Sequence, residues 1–261
     1  MIKAIFFDID GTLLSFKTNK IPQSTIDAFA KLKNDGIKLF IATGRPLIDI
    51  KGLDALSFDG FITKNGAYCV DAERNLIYKE AIPREDVEAL MNFQKEHPFP
   101  CILVTPECNA LNYADEAVRD LYSLVKVPVP PATDWREVDP EQVYQITMYV
   151  NEQQEAEIMQ RVLTGCQSSR WYPTFADVNK RGVSKQSGID RMLEHHNIKL
   201  EETMAFGDGG NDIPMLKHVA LGVAMGNAAD NVKAVAKYVT DTVDNNGIWN
   251  ALQKFIWKEQ G

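Results

Sequence analysis

The sequence predicts an α/β protein: a doubly wound, parallel-sheet core interrupted by an inserted α+β segment. Three observations lead there. Short, continuous apolar runs closed by turn residues occur towards both ends of the chain, and such runs read as strands buried on both faces. Near the start, strand, helix and strand follow at lengths that make a right-handed βαβ unit, and hence a parallel sheet. Residues 144–150 differ, alternating so that Tyr144, Ile146, Met148 and Val150 share one face, as in a sheet covered on one side and wet on the other. The core is therefore expected over residues 1–82 and 183–261, and the insert over 83–182, about one hundred residues and so domain-sized.

Taken in order, residues 2–7, broken only by Lys3, form the first strand and deliver Asp8 and Asp10 to a turn at Gly11. Pro22-Gln23-Ser24 opens a helix that Ser24 can cap; Ile26, Phe29 and Leu32 recur on one face and Gly36 suits the stop. Residues 37–42 make a second buried strand, ending in Thr43-Gly44-Arg45-Pro46. A third, at 60–64, leads into Asn65-Gly66-Ala67. In the insert, residues 84–97 carry Val87, Leu90 and Met91 at helical spacing, 128–131 form a proline-rich connection, and 155–163 read as an amphipathic helix. The buried-strand style returns with a helix at 184–196, then a short strand at 204–206 whose loop is Gly207-Asp208-Gly209-Gly210-Asn211-Asp212. Strands at 221–224 and 238–240 flank a helix at 228–237, and a last helix runs over 248–257. The chain has no internal repeat and no low-complexity tract.

Bulk properties narrow the partners. A net charge of -8 argues against nucleic acid or an anionic membrane surface as the main partner, so an anionic substrate needs a local cation. Cys69, Cys101, Cys108 and Cys166 lack paired ligand spacing and read as reduced thiols of a cytoplasmic protein. No signal-peptide pattern and no membrane-length apolar segment is expected. The adjacent His195 and His196 fall within a helical pattern and read as solvated helix residues, because a histidine pair without a third ligand is a weak metal signal.

The chemistry gathers where doubly wound sheets bind ligands, at the carboxyl ends of strands: Asp8 and Asp10, then Thr43-Gly44-Arg45, then Asp208, Asn211 and Asp212. Lys185 differs in opening a helix. Four carboxylates in one cleft repel by several kcal/mol, on the order of what a protein dielectric allows, and a magnesium ion resolves this by taking carboxylates and waters while leaving positions for phosphate. Thr43 offers a hydroxyl and Lys185 a point charge. Acids, metal, hydroxyl and ammonium together compose a phosphoryl-transfer site. A carboxylate is already ionised at neutral pH and needs no base to attack, which suits Asp8, while Asp10 can serve as general acid and base. Residue order alone leaves those two roles exchangeable.

Asp8-Ile9-Asp10-Gly11-Thr12, Ala42-Thr43-Gly44-Arg45, Gly182-Val183-Ser184-Lys185 and Gly207-Asp208-Gly209-Gly210-Asn211-Asp212 resemble the four ordered motifs of the haloacid dehalogenase superfamily. The resemblance is closest to its Cof-type sugar-phosphate phosphatases, whose α+β cap lies between the second and third motifs. It implies a Rossmann-like core with a type IIB cap, and a phosphatase acting on hexose or similar sugar phosphates through a phosphoaspartate on Asp8. It further implies Mg2+ held by Asp8, Asp208 and the backbone carbonyl of Asp10, with Asp10 as acid/base. Thr43 and Lys185 would bind the phosphoryl group, Asn211 and Asp212 would support, and Gly44, Arg45 and Asn65 would lie within reach of substrate. Asp177 and Asn179 read as solvated loop residues, with a reach to the leaving group as the alternative. A phosphosugar mutase using the same phosphoaspartate is the rival enzyme. A phosphate-sensing module is the rival binding protein, which the large insert and the second acid disfavour. The partner is expected to be a small phosphorylated molecule, and the protein a monomer or weak homo-oligomer.

Overall fold

The computed structural model describes residues 1–124 and 127–257. Its strands are β1 (Ala4–Phe7), β2 (Lys38–Ala42), β3 (Gly60–Thr63), β4 (Tyr68–Asp71), β5 (Leu76–Lys79), β6 (Cys101–Val104), β7 (Asn109–Leu111), β8 (Gln145–Met148), β9 (Cys166–Tyr172), β10 (Phe175–Lys180), β11 (Thr203–Gly207), β12 (Leu221–Ala224) and β13 (Tyr238–Val239). The helices are α1 (Gln23–Asn34), α2 (Arg84–Phe93), α3 (Glu116–Leu124), α4 (Glu152–Arg161), α5 (Lys185–His196), α6 (Ile213–His218), α7 (Asp230–Lys233) and α8 (Gly247–Phe255).

One sheet runs β13-β12-β11-β1-β2-β3-β4-β5 and is parallel from β13 to β3. Along β1 the side chains alternate between two cores. Ile5 and Phe7 pack with Phe29, Leu32 and Leu252 of α1 and α8, while Ala4 and Phe6 pack with Ile189, Met192 and Leu216 of α5 and α6. Helices on both faces explain why these strands carry no polar alternation. The chain leaves β1 towards β2 on one side and returns through β11 on the other, so a topological switch point lies at the carboxyl end of β1.

The second sheet, β7-β6-β8-β10-β9, is antiparallel. Val87 and Leu90 of α2 and Ile158 of α4 cover one face through Leu103, Ile146 and Val178. On the other face Val118, Leu121 and Tyr122 of α3 pack with Ile102, Tyr149 and Phe175.

Several expectations need correction. The supposedly wet face of 144–150 is buried throughout, because α3 and the first sheet's loops cover it. Asp177 and Asn179 are buried strand residues of β10, not solvated loop residues. Ser24 does not cap α1: the helix begins after Pro22 with no side-chain cap, and the Ser24 hydroxyl donates to Asn246 Oδ1 at 2.7 Å. The helix expected over 228–237 shrinks to α7. The antiparallel pair β4–β5, which the sequence did not announce, extends the first sheet at one edge. His196 is half-buried against the Phe40 ring, 5.0 Å between centroids, while His195 is exposed as expected.

Candidate active site

Asp8 follows the last residue of β1, its amide donating to Phe206 O at 3.0 Å, so the pairing of β1 with β11 fixes where the carboxylate emerges. Gly11 has φ of +81°, and a Cβ there would lie 2.1 Å from Asp208 Oδ2; only glycine lets the turn pass this close over Asp208. Thr12 Oγ1 donates to Asp208 Oδ1 at 3.2 Å and Asn227 Nδ2 to Asp208 Oδ2 at 3.1 Å, so among the described residues Asp208 has neutral donors but no ion-pair partner.

Lys185 is the first residue of α5, held there by a capping box between Ser184 and Ser187. Its side chain is wholly inaccessible, and Nζ donates to Asp8 Oδ1 at 2.6 Å and Asp212 Oδ1 at 2.5 Å. Asp212 also accepts the Asp208 and Gly209 amides, at 2.9 and 2.8 Å, which fastens the loop after β11. One carboxylate oxygen from each of Asp8, Asp208 and Asp212 lies within 4.8 Å of the others. Burial pushes the Asp8 carboxyl up to about 7, with Lys185 opposing and the Asp212 and Asp10 charges adding to it. Burial, then the charges of Asp8 and Asp212, raise Asp208 well above the usual carboxylate range. A close, all-oxygen set, buried at Asp8 and Asp212 and half-buried at Asp208, with one lysine for three acids, fits a hard divalent cation.

Asp10 lies in the turn, gripped by Arg45, whose Nε reaches Oδ2 at 2.8 Å and Nη2 reaches Oδ1 at 2.5 Å. Thr43 is buried at the end of β2 and its hydroxyl accepts the Arg45 amide at 3.1 Å. Asn65 connects the two sheets. Its Oδ1 accepts from Asn211 Nδ2 at 3.0 Å, and its Nδ2 donates to Gln145 Oε1 at 3.2 Å and Asp177 Oδ2 at 3.3 Å. Asp177 also accepts from Thr147 Oγ1 at 2.7 Å and Gln145 Nε2 at 3.2 Å, and Gln145 Nε2 reaches Gly44 O at 3.2 Å. Asn179 closes the seam by donating to both Lys64 O and Tyr144 O at 3.0 Å.

These groups surround a cavity of about 480 Å3 between the strand-end loops and the antiparallel sheet. Asp8, Asp10, Thr43, Gly44, Arg45, Asp208 and Asn211 reach its wall; Lys185 and Asp212 stand behind Asp8. The residues assigned to the site from the sequence are thus brought together, while Asn65 and Asn179 lie beside the cavity at the seam rather than on its wall. Sequence reasoning missed Asn227, Gln145 and Thr147. Asn227 was findable, since it follows the strand at 221–224 as the other site residues follow theirs, whereas Gln145 and Thr147 were hidden on the face assigned to solvent.

The sequence profile of the haloacid dehalogenase-like hydrolases matches residues 5–252. The chain belongs to that family. YkrA of Bacillus subtilis (strain 168) is 34% identical over 97% of each chain. The HMP-PP phosphatase of Yersinia pseudotuberculosis serotype I (strain IP32953) is 30% identical over 89% of this chain and 87% of its own. Among solved structures, the subclass IIB sugar phosphatase BT4131 superposes with a TM-score of 0.90 at 46% identity, covering 97% of this chain and 98% of that one. As a haloacid dehalogenase-like phosphatase the chain hydrolyses small phosphorylated substrates, and the antiparallel sheet is its cap. No described helix is long and apolar enough to cross a membrane.

Proposed function

We propose that this is a Mg2+-dependent phosphatase of small phosphomonoesters, sugar phosphates such as hexose phosphates among them, working through a phosphoaspartate on Asp8. The observation that carries the reading is the placement of Asp8 at the switch point, with its carboxylate on Lys185 and beside Asp208. Asp8 attacks phosphorus, the bond to the leaving oxygen breaks, and the Asp10 carboxyl gives that oxygen its proton. Asp10, now a carboxylate, takes a proton from water; the water oxygen attacks phosphorus and the bond to Asp8 breaks. The Arg45 clamp on Asp10 must loosen for the first proton transfer. Thr43, the Gly44 amide, Lys185 and Asn211 hold the phosphoryl oxygens. Asp8, Asp208 and the Asp10 carbonyl would hold Mg2+, with Asp212 in support; the ion supplies charge that neutralises the cluster and polarises the phosphoryl group.

The core comprises residues 1–82 and 183–261 and the cap 83–182, a division supported by the two separate sheets, since β6 to β10 form one sheet and all the other described strands the other. The buried thiols of Cys69, Cys101 and Cys166, none in a disulfide, support a cytoplasmic setting; the protein is read as a monomer or weak homo-oligomer. The test is phosphate release from a panel of sugar phosphates with and without Mg2+. Asp8→Asn should lower it by about 10³-fold or more; full activity in that variant sinks the covalent route. Glucose 1-phosphate should yield free phosphate, and its conversion to glucose 6-phosphate instead would make the chain a mutase.

A further inference from the structure

The cap side of the cavity carries two polar atoms that the fold leaves unused. Five buried side-chain polar atoms lack a hydrogen-bond partner among the described residues, and two of them, Asn109 Oδ1 and the Tyr149 hydroxyl, belong to residues on this wall. Lys64, Gln94 and His196, which hold the other three, do not line it. A polar atom kept buried and unpaired destabilises the free protein, so its place on a ligand cavity asks for a reason.

Strand register orders the wall. Val104 pairs with Asn109 on one side and Gln145 on the other, which puts these three in the row nearest the core loops. From there Gln145, Thr147 and Tyr149 rise along one face at every second residue. The first two are engaged: Gln145 Nε2 donates to Gly44 O and Asp177, and Thr147 Oγ1 donates to Asp177. Tyr149, the outermost, has an idle tip. Asn109 is half-buried and already bound through Nδ2 to Asp49 Oδ2 at 2.6 Å, whereas Tyr149 is only 6% exposed. The Tyr149 amide donates to Pro100 O at 3.0 Å and its ring centroid lies 5.8 Å from that of Phe175, so backbone and ring are fixed while the hydroxyl is not used. Burial pushes that hydroxyl up from its ordinary pKa, which keeps it a neutral donor across the physiological range.

We propose that Tyr149 is a specificity-determining residue whose hydroxyl donates to a hydroxyl of the leaving sugar, on the side remote from the phosphate. This rests on the phosphatase reading above and adds to it the cap group that tests the leaving alcohol. A sugar hydroxyl can accept the Tyr149 proton and still donate its own, whereas an ester lacking that hydroxyl leaves the buried phenol unpaired and gains nothing from it.

The experiment is a cycle between protein and ester. For the full chain with Mg2+, kcat and KM are measured in the wild type and in Tyr149→Phe on two series: glucose 6-phosphate with its 1-, 2-, 3- and 4-deoxy analogues, and ribose 5-phosphate with its 2-deoxy analogue. At one position at least, loss of the ester's hydroxyl is expected to cost the wild type about fivefold or more in kcat/KM, chiefly through KM, and to cost Tyr149→Phe far less. The ligand-free variant is expected to melt at or above the wild-type Tm, because it loses an unpaired buried hydroxyl and keeps the ring. Equal deoxy penalties in the two proteins at every position overturn the inference and leave the phosphatase reading standing. A large fall in Tm in Tyr149→Phe makes the hydroxyl a structural group and overturns it too, as does turnover of other phosphomonoesters but of neither sugar series. Phosphate release from no ester at all removes the phosphatase reading and this inference with it.

Discussion

The floor of the cavity and its cap wall are made in opposite ways. The floor comes from loops at the ends of parallel strands, where a carboxylate or ammonium emerges at a point fixed by strand pairing, as Asp8 does beside β11. The wall comes from the faces of antiparallel strands, where Gln145, Thr147 and Tyr149 recur at every second residue. The floor concentrates buried charge; the wall is largely apolar. The difference teaches that reaction and selectivity depend on separate parts of the chain, joined through a few hydrogen bonds at Asn65 and Asn179.

Breaking the floor should cost most. Lys185→Met leaves Asp8 and Asp212 buried without their shared cation, and removing one partner of a buried pair costs about 3–5 kcal/mol. A large fall in Tm with loss of turnover on every ester is expected; a stable, active variant would mean that the ammonium is not what balances the acids.

The seam gives the next test. Lys64, beside Asn65, is fully buried, its Nζ lacks a hydrogen-bond partner among the described residues, and it stands 4.5 Å from the Tyr68 ring centroid and 5.9 Å from that of Tyr144 in the cap. Burial lowers it from 10.5 to about 8, against the pull of the Glu107 and Asp49 charges. Between those two values the unfolded chain binds the extra proton, so this group's contribution makes stability rise with pH from about 8 to 10.5. Denaturation curves across that window should show the rise in the wild type and lose that contribution in Lys64→Met, which should be more stable near neutrality. An identical pH profile in the two proteins would show that the lysine is not buried charged.

The wall should respond least in stability and most in selectivity. Thr147→Val removes one donor to the Asp177 carboxylate, worth about 1–2 kcal/mol. KM for hydroxylated esters should change more than kcat, because the reacting groups on the floor stay in place. An equal loss in kcat across all substrates would erase the distinction between floor and wall.

What the sequence disclosed follows the same division. Strand-end motifs are local: Asp8 and Asp10, Thr43 to Arg45, and Asp208 to Asp212 could each be seen within a few residues, and the doubly wound core followed from the buried apolar strands. The face of β8 could not be read that way. Alternation shows that two faces differ but not what covers the second, and here α3 and the core loops do. The grip of Arg45 on Asp10 was likewise hidden, since it depends on two strand ends meeting across 35 residues of sequence.

The most direct measurement is peptide mapping of the acid-quenched steady state with a labelled phosphoryl donor and Mg2+. The account expects label on the peptide bearing Asp8, formed and lost at rates compatible with turnover and absent in Asp8→Asn. Full turnover with no labelled peptide, or label that persists in Asp8→Asn on another carboxylate, would contradict it.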